Sequence, residues 1–72
     1  MTMTHHTTKR THELQVIATQ IVMTSGADLS QAVAIKPLAK AMAKISGCAY
    51  QTAIRHIERA ILRARNELKP GN

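Results

Sequence analysis

The sequence predicts an all-α domain of three or four helices, the last of them long. Three observations carry that prediction. Apolar residues recur at i, i+3, i+4 and i+7 in separate stretches. Glycine or proline marks the ends of those stretches, at Gly26, Pro37, Gly47 and Pro70-Gly71. No segment alternates with period two over a useful length, so no sheet is expected. At 72 residues the chain holds one domain. A chain of this size buries only about 60% of its unfolded surface, so the core is marginal. That core also lacks bulk, with no Phe, no Trp and Tyr50 as the single tyrosine.

Residues 1–10 carry four threonines and two adjacent histidines without a Leu, Ile or Val, and read as a flexible N-terminal tail. From Thr11 the pattern becomes helical. Leu14, Ile17, Ala18 and Ile21 fall on one face, widened by Val16, Val22 and Met23, and Gly26 stops the helix near residue 25. Asp28 and Ser30 are helix-starting types followed by Leu29, Val33 and Ile35; this stretch fits one or two helical turns or an ordered connector. Pro37 suits the first position of a helix. Leu38, Ala41, Met42 and Ile45 then form its apolar run up to Gly47, with Lys36, Lys40 and Lys44 on the opposite side. The closing helix begins near Tyr50, and Ala53, Ile57, Ala60, Ile61, Ala64 and Leu68 trace its stripe, with Ile54 alongside. Its length corresponds to a rod of roughly 28 Å. The folded domain is expected over 11–69, leaving 70–72 as a C-terminal tail.

Charge is unevenly placed. The formal net charge is +6, and within residues 1–35 Lys9 and Arg10 cancel Glu13 and Asp28. The whole excess therefore lies in residues 36–72, in Lys36, Lys40, Lys44, Arg55, Arg59, Arg63, Arg65 and Lys69 against Glu58 and Glu67. Clustered positive charge on a small domain is the electrostatic footprint of a phosphate backbone, the alternative being a solvated basic surface. Cys48 stands alone and cannot form an internal disulfide, which fits a reducing compartment. No apolar run approaches the roughly 20 residues that span a bilayer, and residues 1–10 hold no signal-peptide core. Cytoplasmic residence without a membrane partner is the expectation.

A helix of about ten residues, a glycine turn and a helix with polar first turns form the helix-turn-helix plan. Ala43 and Ala53 supply the small residues that close helix crossing needs. Gly47 suits a turn at positive φ, and Cys48 suits a small buried position. The run Ala43-Lys44-Ile45-Ser46-Gly47-Cys48-Ala49-Tyr50-Gln51-Thr52-Ala53-Ile54-Arg55 resembles the helix-turn-helix of lactose-repressor-type regulators. The run from Ile54 to Arg63 is similar to the recognition helix of bacterial sigma factor region four. These resemblances lie within residues 37–68. Neither a sugar-binding domain nor a promoter-melting region accompanies them. They imply a DNA-binding domain with a long recognition helix. One residue departs from the pattern: Ala49 stands where Ser or Thr usually caps the recognition helix, an absence worth about 1 kcal/mol. Either the helix start is displaced by a residue or another group supplies the cap.

Gln51 and Arg55 lie four residues apart near that helix start; Gln pairs bidentately with adenine and Arg with guanine in the major groove. Tyr50, Gln51, Thr52, Arg55 and His56 are the candidate base-reading set. Lys36, Lys40, Lys44, Arg59 and Arg63 are the candidate phosphate contacts, which fix register without reading sequence. For each set the alternative is an ordinary solvated helix face. Glu58 and Arg55, three apart, suit a local ion pair. Ile57, Ile61, Leu62 and Leu68 exceed what two short helices cover, which suits a homodimer interface on a palindromic site or, alternatively, packing against residues 11–25. His5, His6, His12 and His56 lack companions at ligand spacing, so no metal or other cofactor is expected. Cys48 sits where the motif buries a hydrophobe, so catalysis is not expected either. The reading is thus a double-stranded-DNA-binding transcriptional regulator of the kind carried by phages and mobile elements. The alternative is a protein-binding module, for instance a phage-encoded inhibitor acting on a host complex such as the transcription machinery. RNA binding is disfavoured because single-strand modules rely on stacking aromatics.

Overall fold

The computed structural model describes the backbone of residues 2–68 and the side chains of residues 10–67. Three helices follow one another, α1 (Thr2–Thr24), α2 (Ile35–Ser46) and α3 (Tyr50–Leu68), and each packs on the other two. No strand occurs among the described residues. The chain is all-helical, as its periodicity predicts. No helix among the described residues is long and apolar enough to cross a membrane.

α1 begins at Thr2 rather than near Thr11, so the backbone of the stretch expected as a tail is helical from its second residue. Extension costs little once a packed nucleus exists, because every added residue contributes one backbone hydrogen bond. The C-terminal tail expected over 70–72 lies outside the described residues. α1 ends as its glycine implies. Gly26 has φ 74°, and Ser25 turns its hydroxyl onto the Val22 carbonyl (2.7 Å) and accepts the Ala27 N–H (3.2 Å).

Residues 27–34 are an ordered connector rather than a further helix. The Asp28 carboxylate accepts both the amide (3.0 Å) and the hydroxyl (2.6 Å) of Ser30, which hold its pKa below the usual carboxylate value. Such local side-chain bonds compete with helical ones and favour turns. Leu29 and Val33 rest on the core. Arg65 of α3 ties the connector down, donating from Nε to the Leu29 carbonyl and from Nη2 to the Gln31 carbonyl, both at 2.7 Å.

α2 starts two residues before Pro37, which occupies the third helical position. The first-turn N–H groups have no intrahelical acceptor, so proline forfeits no bond there. The buried side of α2 is turned by about a quarter of the helix circumference from the predicted one. Ala39 and Met42 are buried with Ile35, Leu38 and Ala43 packed beside them, whereas Ala41 is exposed and Ile45 is 67% exposed. Ala39 and Ala43 lie on the flank turned to the core, where small side chains allow close helix packing, while Ile45 is left outside.

The core consists of Leu14, Ala18 and Val22 from α1, Ala39 and Met42 from α2, and Ala53, Ile57, Ala60 and Ile61 from α3. Four of its nine members are alanines, so the helices pack with little intervening bulk. Met42 and Ile57 are the largest wholly buried side chains. Ile57 and Ile61, expected at a dimer interface, are therefore core residues of the single chain. α1 and the connector supply the cover that two short helices lack. Leu62 remains exposed, and the Leu68 side chain lies outside the described residues.

Candidate nucleic-acid interface

α2 ends on Gly47, whose φ of 76° and ψ of 10° place it in the left-handed region while its N–H donates to the Ala43 carbonyl (2.8 Å). Gly47, Cys48 and Ala49 form the whole turn before α3. Cys48 packs against the core, partly buried, and the Ser46 hydroxyl accepts its amide (3.3 Å). Ala49 precedes Tyr50 directly and has no side-chain oxygen with which to cap α3. Its carbonyl starts the helical ladder by accepting the Ala53 amide (2.9 Å).

The buried stripe of α3 fixes what the rest of the helix presents. At 100° per residue, Gln51, Arg55, Glu58 and Leu62 lie opposite Ala53, Ile57, Ala60 and Ile61, and all four are exposed. Gln51 and Arg55 thus stand together on the outer face of the first two turns. Tyr50, at the helix start, is 37% exposed. Thr52 is half-buried on the flank.

His56 is placed differently. Its Nδ1 lies 2.8 Å from Gln15 Oε1, and Gln15 Nε2 donates to the His56 carbonyl at 3.2 Å. The pairing makes Nδ1 the protonated nitrogen of a neutral ring, because an amide oxygen only accepts. Burial first, and the nearby Arg59 charge second, lower the His56 pKa below the usual imidazole value. His56 is thereby committed to the α1–α3 junction, unlike Gln51 and Arg55.

Cations form two rows. Lys36, Lys40 and Lys44 recur every fourth residue along α2, and Arg55, Arg59 and Arg63 do so along α3; all six are exposed. Fourfold spacing keeps each row on one side of its helix, with about 6 Å of rise between successive charges. The expected pair of Glu58 with Arg55 is not formed, so neither charge is spent on the other. Arg63 borders a shallow cleft with His12, Gln15, Val16 and Thr19.

Three contacts were not anticipated from sequence. Gln15 is buried among apolar residues, and its only sequence signal is a polar residue at helical spacing from Ala18 and Val22. Arg10 donates from Nη2 to the Ser46 carbonyl (2.9 Å), placing a cation at the negative end of α2. Arg65 is held by the connector as described. Neither arginine differs in sequence from a surface cation. Among the described residues no group of three His, Cys, Asp or Glu side chains is positioned to hold a metal ion.

Comparison of the chain with protein-family models, curated proteins and solved structures finds no match.

Proposed function

We propose that the chain binds double-stranded DNA as a transcriptional regulator, using α2, the Gly47 turn and α3 as a helix-turn-helix. The observation that carries the reading is the joint exposure of Gln51 and Arg55 on the first turns of a helix whose opposite face is locked in the core. A base-reading side chain must project from a rigid support, and these two do. The lysine row of α2 and Arg59 and Arg63 of α3 supply phosphate contacts on both sides of the turn. Tyr50 and Thr52 flank the reading pair. The likeness of residues 43–55 to lactose-repressor-type regulators supports the same assignment.

Selection of bound duplexes from a random pool, followed by binding titrations on the winner, tests the reading. Arg55→Ala is expected to lose the preference for the selected sequence by roughly 5- to 150-fold, the 1–3 kcal/mol worth of a bidentate base contact. Lys40→Ala is expected to weaken all duplexes alike and to lower the salt slope by about one. Affinity should also fall steeply between ~50 and ~200 mM salt. An unenriched pool, or equal small effects from both substitutions, would overturn base reading. Binding to a protein partner that barely responds to salt would favour the protein-binding alternative.

A further inference from the structure

Leu62 is 60% exposed midway along the outer stripe of α3. It borders an open groove of about 390 Å³ between α3 and the connector. The groove has apolar sides, from Val33, Ile35, Ile61 and Leu62, and carries one charged residue of each sign, Glu58 and Arg65. These two are seven residues apart, two helical turns and about 10 Å, so they share a face with Leu62 near their midpoint.

That arrangement is self-complementary. A two-fold axis passing between positions 61 and 62 sets a second α3 antiparallel to the first. It brings Glu58 to the partner's Arg65, returns Arg65 to the partner's Glu58, and lets each Leu62 enter the other copy's groove. A parallel arrangement would instead place Glu58 on Glu58 and Arg65 on Arg65. Arg65 is prepared for the pairing. Its bonds to the Leu29 and Gln31 carbonyls fix the guanidinium, and they leave other N–H donors among its five for a carboxylate. Glu58 has no hydrogen-bonding or ion-pair partner among the described residues. We infer that this groove is the interface of a two-fold homodimer, with a second copy of the chain as its occupant. The partner helix lies along the same outer stripe of α3 that carries Gln51 and Arg55, so the dimer and a groove-bound chain are alternative occupants of one face. The inference does not rest on DNA binding and is tested without DNA.

Sedimentation equilibrium of the full chain from ~1 μM to ~1 mM spans the range in which a weak or moderate dimer declares itself. The average mass is expected to double across that range. Leu62→Asp should remain monomeric at the highest concentration, and at ~1 μM, where both chains are monomers, its helical melt should match the wild type because Leu62 is outside the core. Glu58→Lys, which faces Arg65 with a like charge, should raise the dissociation constant at least about tenfold, equivalent to 1.4 kcal/mol. Leu62→Cys in a Cys48→Ser chain should cross-link through a disulfide under mild oxidation. Val16→Cys in the same background, on an exposed apolar site of α1, should not. A wild-type chain that stays monomeric throughout, a Leu62→Asp chain that dimerises as wild type does, or equal cross-linking at positions 16 and 62 would each overturn the inference.

Discussion

Replacing Gly47 with L-alanine isolates the cost of one backbone angle. Its φ is 76°, and a Cβ placed there meets no atom within 4 Å. No neighbour must move, so the penalty is confined to the residue's own left-handed conformation, roughly 1–2 kcal/mol for an L side chain. Part of that is offset because alanine narrows the unfolded ensemble by about 0.4–1 kcal/mol. The net loss is about 1 kcal/mol, which in a domain of this size lowers the melting temperature by roughly 4–8 °C. D-alanine reverses the sign. It prefers positive φ, meets the same open space and retains the unfolded-state gain, so it should stabilise by about 0.4–1 kcal/mol. Total synthesis of a 72-residue chain gives both forms, and far-ultraviolet circular dichroism melts compare them. A loss above about 3 kcal/mol for L-alanine, or any loss for D-alanine, would refute a left-handed, uncrowded turn at this position.

The lowered pKa of His56 makes stability depend on pH. The folded value lies below the unfolded one of about 6.5, so the contribution is complete above that pH and is lost as pH falls through the folded value. Urea midpoints should therefore drop from neutral toward acid pH, and His56→Gln should flatten that part of the profile; a rise on acidification contradicts the assigned environment. Ala49→Ser places a hydroxyl before the uncapped α3 and should raise stability by about 0.5–2 kcal/mol, read from the same urea midpoints. No gain would place the helix start elsewhere. Met42→Ala empties the centre of the core and should cost about 2–5 kcal/mol. That is much of the total available to a small domain, so the variant should melt near or below room temperature. A loss under 1 kcal/mol would mean Met42 is not enclosed.

Sequence legibility followed the kind of interaction involved. The buried stripe of α3 was readable because Ala53, Ile57, Ala60 and Ile61 repeat at helical spacing, and the helix ends because Gly26 and Gly47 favour positive φ. The α2 face is not settled by its periodicity. Ile45 and Ala41 complete an equally good periodic run, and only the close approach of another helix selects Ala39 and Ala43 instead. Long-range ties left no local trace. Gln15 meets His56 across 41 positions and Arg65 meets Leu29 across 36, so neither pair is implied by its neighbours. The exposure of Gln51 and Arg55 was legible as the complement of the buried stripe. The pairing of His56 with Gln15, and the burial of Ile57 and Ile61 within the single chain, depend on where α1 lies.

The lack of Phe and Trp leaves Tyr50 as the one phenol or indole ring in the molecule. In D2O, once the labile N–H protons have exchanged, its ring protons give a pair of resonances whose only aromatic protein neighbours are the histidine ring protons, in an unlabelled sample at natural abundance. Because Tyr50 sits at the junction of the Gly47 turn and α3, a one-dimensional proton spectrum monitors that junction directly. Added duplex that shifts those two lines marks an event at the start of α3, observed without attaching any probe.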